Sequence, residues 1–264
     1  MAQRAGAAWK YRGFIQSSVL NEFRVRFSRS RFGALWMILQ PLAQVGVMAL
    51  VLSRVLGAKL PGVGGRYSYA IYLMAGILCW NLFSEVVMRC LTVFIDNAAL
   101  LRKIQFPRIT LPLIVGGSAI LNNLALFLAV FILLVAFGAP LAWSMCWLPI
   151  LMMITVALAL GVGLLFGVLN VFMRDIGQVV PVVLQFLMWL TPIMYPVNIV
   201  PPGLVRFQEM SPLVLLVEAY HDVLLYGRAP EIGPLLYVAI IATLVLGIAL
   251  VMFRRASSEL VDVL

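Results

Sequence analysis

The chain has 264 residues, of which 64% are hydrophobic and only 11% charged, and its mean hydropathy is +1.07. A water-soluble domain carries about a quarter charged residues, so lipid must be the solvent for much of this chain. The formal charge of +9 would suit nucleic acid, but the basic residues cluster at the ends of apolar runs and form no solvated face. No nucleic-acid partner is therefore expected.

The first twenty residues, MAQRAGAAWKYRGFIQSSVL, contain no uninterrupted apolar stretch and no cleavage pattern, so a removable leader is not predicted there. Residues 1–33 read as a cytoplasmic segment holding an amphipathic interface helix. Ile15, Val19, Phe23 and Phe27 recur every four residues and form one apolar stripe. Arg24, Arg26, Arg29 and Arg31 follow within and just beyond it, with Arg24 and Arg31 sharing another face. Such a helix lies in the headgroup layer, where each basic residue contributes ~1 kcal/mol against an anionic leaflet. The arginines serve as a topology anchor, as contacts for a cytoplasmic partner or lipid-linked substrate, or as both.

Residues 34–253 hold six apolar runs of membrane-crossing length. They run from Ala34 to Leu56, Ser68 to Cys90, Ile109 to Phe137, Trp143 to Leu169, Val179 to Tyr195, and Ile232 to Phe253. Residues 254–264 form a tail. With the N-terminus inside, fourteen Lys and Arg fall on cytoplasmic segments and five on outer ones. That bias, with an even number of spans, puts both termini in the cytoplasm.

Between the second and third spans, Asp96 is a good N-cap for a short helix over Asn97–Ile104. Arg102 and Lys103 would complement its C-terminal dipole. Ala98, Leu100 and Leu101 would form an exposed apolar knob with a basic rim, suited to a protein socket or to an interfacial turn on lipid. After the fourth span, Arg174 and Asp175 make a tight charged turn, with Gly177 permitting unusual dihedrals. Gly163 and Gly167 form a small-xxx-small contact surface in that span.

The fifth span breaks at Pro192 and Pro196, and Pro201 and Pro202 follow. Val200–Gly227 reads as a pair of short re-entrant or interfacial helices on the outer side, with Leu213, Leu216, Val217, Tyr220 and Leu224 on one face. Glu218, His221 and Asp222 lie close together on that helix; a solvated or hydrogen-bonded polar face explains them better than a metal or catalytic site.

Charge inside the spans is sparse. Glu85 can pair with Arg89 at i+4. The polar and aromatic residues Trp36, Gln40, Gln44, Trp80, Asn81, Phe83, Phe186, Trp189 and Tyr195 would suit a conduit for a polyhydroxylated chain, or else helix packing and the interfacial aromatic belt. Cys79, Cys90 and Cys146 read as small core hydrophobes; Cys79 and Cys90 would be ~16 Å apart along one helix, too far for a disulfide. With His221 the only histidine, no metal-ligand spacing exists. There is no Gly-Lys pair, hence no Walker A loop, and no G-x-S-x-G or H-E-x-x-H. The chain is expected not to be an enzyme by itself, and to draw energy from a separate subunit that docks on its cytoplasmic loops.

The order RSRFGALWMILQPL (Arg29–Leu42), NAALLRKIQFPR (Asn97–Arg108), VFMRDIGQVV (Val171–Val180), TPIMYP (Thr191–Pro196) and SPLVLLVEAYHDVLLYGRAP (Ser211–Pro230) resembles the permease subunit of ABC-2 type exporters. More narrowly, it is similar to bacterial polysaccharide and O-antigen export permeases. The resemblance implies an all-α, six-span homodimer in the bacterial inner membrane with two copies of an ABC ATPase below, which bind the ATP and Mg. It implies that the interface helix and the Asp96–Lys103 helix touch those ATPases. The two short outer helices would form a gate, and the substrate would be an undecaprenyl-linked polysaccharide. An ABC-2 permease for teichoic acid, lipid or drug shares this architecture.

Overall fold

The structure is a computed structural model that describes residues 12–28, 33–51, 68–103, 108–136, 142–196, 203, 208 and 210–256. Expectations for Arg29, Arg31, Pro201 and Pro202 lie outside these residues, as do the side chains of Phe23, Arg26, Phe27, Trp36, Leu100, Arg102 and Lys103. The described residues are helical or turn, with no strand among them.

Nine α-helices follow in chain order among the described residues: α1 (Arg12–Ser28), α2 (Gly33–Leu50), α3 (Ser68–Asp96), α4 (Ala98–Lys103), α5 (Thr110–Ala136), α6 (Leu148–Phe172, entered through a 3-10 turn at Trp143–Trp147), α7 (Ile176–Leu190), α8 (Pro212–Leu224) and α9 (Ile232–Ala256). Four of them are long and apolar enough to cross a membrane: α3, α5, α6 with its 3-10 entry, and α9. The helix α2 carries Pro41 in its interior, and α7 is a shorter apolar helix with Pro181 inside. Each proline removes one backbone hydrogen bond and favours a bend. Pro149 and Pro212 instead sit in the first turns of α6 and α8, where the missing N–H costs nothing.

Helix α3 is the central pillar. Its most apolar window is 78% buried, against 22% for α9, so α3 is packed on most sides by the rest of the chain while most of α9 is left uncovered by it. Helix α6 packs between them by omitting side chains. A Cβ at Gly167 would overlap the Cys90 carbonyl oxygen of α3, and one at Gly163 would come within 2.7 Å of Cys90 Cβ. On another face, a Cβ at Gly161 would lie 2.8 Å from the Leu246 nitrogen of α9. Apolar residues gain little from burial against each other in lipid, so close backbone approach of this kind supplies the packing energy.

These contacts sort the helix ends into two poles. At one, the C-terminal halves of α3, α6 and α9 meet: Asn170 Nδ2 donates to the Leu91 carbonyl (2.8 Å), and the rings of Phe94 and Phe253 stack at 5.3 Å. This basic pole also carries α1, Arg174, Arg254 and Arg255. At the opposite, proline-rich pole, Ser144 Oγ donates to the Val223 carbonyl and α8 packs on the start of α3.

Several expectations are corrected. Asp96 is the last residue of α3 and caps no helix; the joint is Asn97, whose Nδ2 donates back to the Val93 carbonyl while its own carbonyl accepts from Leu101 N. The apolar run through Ile95 carries α3 one turn further than the Arg89 charge suggested. Leu101 is 7% exposed and belongs to the core, so it is no exposed knob. Gly177 lies inside α7 with an ordinary φ; it is needed because a Cβ there would meet Asn170 Oδ1 at 2.8 Å. Cys79 and Cys90 are buried, but Cys146 is exposed. The fifth apolar run is helical only to Leu190, because Pro192 and Pro196 end it.

Candidate functional site

Two sites emerge from this packing, a polar cavity inside the bundle and a closure at the proline-rich pole. The cavity, about 300 Å³, lies among α2, α3 and α5. Gln40, Asn81, Ser84, Glu85, Asn122 and Asn123 line it, with Pro41, Met88 and Leu126 completing the wall. It therefore brings together two of the predicted conduit residues, Gln40 and Asn81. Asn122 Nδ2 donates to Glu85 Oε1 (2.6 Å) and Asn123 Nδ2 to the Leu78 carbonyl (3.0 Å). Their two Oδ1 atoms are buried without a hydrogen-bond partner among the described residues. A buried amide oxygen without a donor costs about 1–3 kcal/mol; the cavity wall itself presents the amides of Gln40 and Asn81, the Ser84 hydroxyl and the Glu85 carboxylate, groups that suit a hydrogen-bonding occupant such as water or the hydroxyls of a polyol.

The remaining conduit candidates separate. Trp80 and Phe83 are 6% and 4% exposed and tilted together at 6.1 Å in the core, and Phe83 also lines an apolar cavity of about 310 Å³ shared with α6, α7 and α8. Both fall on the faces of α3 that its neighbours cover, as large aromatics on a central helix must. Gln44 is half-buried one turn beyond Gln40. Phe186 and Trp189 are exposed on α7, where Val179, Val182 and Val183 extend the same open apolar surface. The Tyr195 hydroxyl donates to the carbonyls of Trp189 or Leu190 and accepts from Gln208 Nε2 at 3.3 Å.

Below the cavity, toward the basic pole, one arginine ties three helices. Arg89 pairs with Glu22 of α1, donates to Ser118 Oγ of α5 at 2.7 Å, and reaches Glu85 at 3.4 Å. The Glu85–Arg89 pair follows the i,i+4 spacing; the Glu22 arm does not, because it joins residues 67 apart in sequence. Val19 seats α1 on α5 by filling the space over Gly117. Of the predicted docking residues at this pole, Asp96, Arg174 and Asp175 are exposed, Asn97 and Ala98 are half-buried, and Arg24 of α1 is exposed.

The proline-rich pole is closed by aromatic rings. The Tyr72 hydroxyl lies 2.7 Å from the Pro192 carbonyl and 2.8 Å from that of Tyr195, and Tyr69 donates to Met194 O. Those carbonyls are free to accept because Pro192 and Pro196 interrupt the helix. Ile193 is fully buried against Gly76, whose missing Cβ admits it. His221 stacks on Tyr72 with ring centroids 3.8 Å apart, and its Nε2 must donate to the Tyr72 carbonyl, 3.1 Å away. Of the two expected states, solvated or hydrogen-bonded, His221 is in the second: it is 3% exposed and locks α8 to α3. The expected apolar stripe of α8 is present, with Leu213, Leu216, Val217, Tyr220 and Leu224 all buried.

Asp222 and Arg228 face a cleft at the proline-rich pole with Glu218, Tyr226 and Glu231. Arg228 Nε donates to Asp222 Oδ1 at 2.8 Å. Burial pushes the Asp222 carboxyl above its ordinary value, and Arg228 pulls it part of the way back. Among the described residues no group of His, Cys, Asp and Glu could hold a metal ion.

Sequence comparison places the chain among transport proteins. The profile of a family described as ABC-2 type transporter matches residues 14–225. The chain is 25% identical over 256 residues to the O-antigen export system permease protein RfbA of Myxococcus xanthus, covering 96% of each. It is 26% identical over 227 residues to the protein of that name from Klebsiella pneumoniae, covering 85% of each. It is also 26% identical over 249 residues to the polysialic acid transport protein KpsM of Escherichia coli, covering 91% of this chain and 92% of that one.

Proposed function

This chain belongs to the ABC-2 type transporter family, and on that premise we propose that it is the membrane permease of an ATP-driven exporter of lipid-linked polysaccharide, of the O-antigen kind. The observation that carries the substrate class is the similarity, along nearly the whole chain, to permeases named for O-antigen and polysialic acid export. The polar cavity supports it, since a wall of Gln40, Asn81, Ser84 and Glu85 suits a hydroxyl-rich cargo better than an apolar one.

In this reading α2 and α7 are the two remaining spans of a six-span unit, and the basic pole faces the cytoplasm of a bacterial inner-membrane protein. Two copies pair, with the open apolar surface of α7 (Phe186, Trp189) toward the second copy or the conduit. Two ABC ATPase subunits, which hold ATP and Mg, dock on α1, on Asp96–Lys103 and on the Arg174–Asp175 turn. The Arg89 ties pass a push on α1 directly to α3 and α5. The proline-rich closure acts as the outer gate, with α8 moving against Tyr72.

The test is a strain lacking this chain. It should retain a polyprenyl-linked polymer on the cytoplasmic side of its membrane and recover surface polymer when the chain is restored. The chain extracted from native membranes should bring an ATPase of the P-loop type with it. Equal surface polymer with and without the chain would refute the proposal. Cysteine labelling at Asp96 and Arg228 should report opposite sides of the membrane.

A further inference from the structure

Outside the two sites already described, a groove of about 830 Å³ lies between α6 and α9. Its walls are Val168, Leu169 and Phe172 on one side and Leu244, Ile248 and Val251 on the other. Only two polar side chains line it, Thr243 at one end and Arg255 at the other. Its floor opens at Gly247, where an added Cβ would meet nothing within 4 Å. Neither the polar cavity nor the Arg89 ties share a residue with it.

We propose that this groove is a binding site for an anionic phospholipid of the leaflet at the basic pole, with one acyl chain laid along Gly247 and the phosphate on Arg255. Depth is the first argument. Along α9 the lining runs from Thr243 to Ala256, about 20 Å at ~1.5 Å per residue, and half of a bilayer of ~40 Å counted with its headgroup regions is about 20 Å. The groove is therefore as deep as one leaflet, and it stops at Thr243 where that leaflet would end. Charge is the second argument. Arg255 closes the groove at headgroup depth, Arg254 adjoins it, and Arg174 stands in the turn two residues beyond Phe172. Asp175 beside Arg174 is the one acidic residue of that turn. A basic pocket between helix ends on this side of a membrane suits an anionic head group. Chemistry is the third argument. A saccharide-bearing lipid would need hydroxyl or amide partners near its diphosphate, and beyond Thr243 the groove offers none.

The experiment uses the full chain, with any ATPase that accompanies it, extracted from native membranes. It is depleted of lipid and offered phosphatidylglycerol or phosphatidylcholine of matched chains, and retained lipid is read by native mass spectrometry. Selective retention of phosphatidylglycerol is expected. Gly247→Phe, whose Cβ would meet nothing within 4 Å, puts a ring on the groove floor and should lower that retention at least ~10-fold, the factor equivalent to about 1.4 kcal/mol. Arg255→Gln should lower it about fivefold, equivalent to ~1 kcal/mol for one basic residue at an anionic surface, and it changes an exposed side chain that folding does not need. Equal retention of the two lipids would mean an unselective annular layer and overturn the proposal. So would unchanged retention in Gly247→Phe or in Arg255→Gln, or preferential retention of a prenyl diphosphate-linked saccharide by the wild type.

Discussion

The fastening of α1 at the basic pole and the closure of the proline-rich pole are made by opposite kinds of chemistry. At the basic pole, charge does the joining: Arg89 holds Glu22, Glu85 and Ser118, and α1 is fastened to α3 and α5 through it. At the proline-rich pole, rings and backbone carbonyls do the joining: Tyr69 and Tyr72 bind carbonyls that prolines have left unpaired, and His221 binds the Tyr72 carbonyl of α3. An ion pair among partly exposed groups can slide and re-form with water. A buried ring stack with carbonyl hydrogen bonds has two states, shut or broken. The contrast suits a pole that transmits a push and another that opens as a unit.

Between the poles the packing is common to both, and breaking it should have the largest effect. Gly167→Ala would drive a methyl group into the Cys90 carbonyl. Backbone cannot shift cheaply inside a close helix contact, so the cost should reach about 3 kcal/mol, the upper part of the range for overpacking. The measurement is the yield of monodisperse protein in detergent. Gly247→Ala, with open space around it, should leave that yield unchanged.

The basic pole comes next. Arg89→Ala leaves Glu85 and Glu22 facing each other without their cation. Breaking a fully buried pair costs 3–5 kcal/mol; here the glutamates keep 27% and 32% of their side-chain surface exposed, so about 2 kcal/mol is expected. Adding Glu85→Gln should recover part of it, as a thermal-unfolding cycle would read. A full loss in the single variant with no recovery in the double would place the fastening in Ser118 or Glu22 instead.

How much of this was legible in the chain follows the range of each interaction. Contacts within one helix could be read: the Glu85–Arg89 spacing, the apolar stripe of α8, the glycine pair of α6. Contacts set by register between helices could not. Leu101 and Trp80 carry the same side chains whether they face lipid, a partner or the core, and only the placement of α3 among its neighbours buries them. Asp96 read as a helix start because its side chain suits a cap, yet the apolar run before it had not finished its last turn. His221 read as part of a solvated or hydrogen-bonded polar face, but the sequence could not name its partner, Tyr72, 149 residues away. Gly177 signals a turn by composition, but its need is steric and comes from Asn170.

The proline-rich pole should lose less than the basic one to a single substitution. Tyr72→Phe keeps the stack on His221 and removes one hydroxyl shared between two carbonyls. A net hydrogen bond contributes about 1 kcal/mol, so Tyr72→Phe should destabilise by that amount. If this pole is the gate, the same variant should also leak small solutes in vesicles, while Arg89→Ala should not. Leakage from Arg89→Ala alone would reverse the assignment of the two poles.

The smallest effect, and the one that separates rim from closure, is the Asp222–Arg228 pair. Arg228 is 65% exposed on its side chain, so the pair itself contributes less than about 1 kcal/mol. Burial still raises the Asp222 carboxyl above its ordinary 3.8. A carboxyl raised in the folded state binds its proton more tightly there than in the unfolded chain. Its contribution to stability is therefore fully present below about pH 4 and is lost as pH rises through the raised value. Asp222→Asn removes that titration, so the variant should lack a small decline in unfolding temperature that the wild type shows from pH 4 upward. The unchanged Tyr72–His221 stack should keep the pole shut in both. An opposite slope, with the wild type gaining stability over that interval, would mean that Arg228 outweighs burial and that the rim pair, and not the ring stack, holds α8 in place.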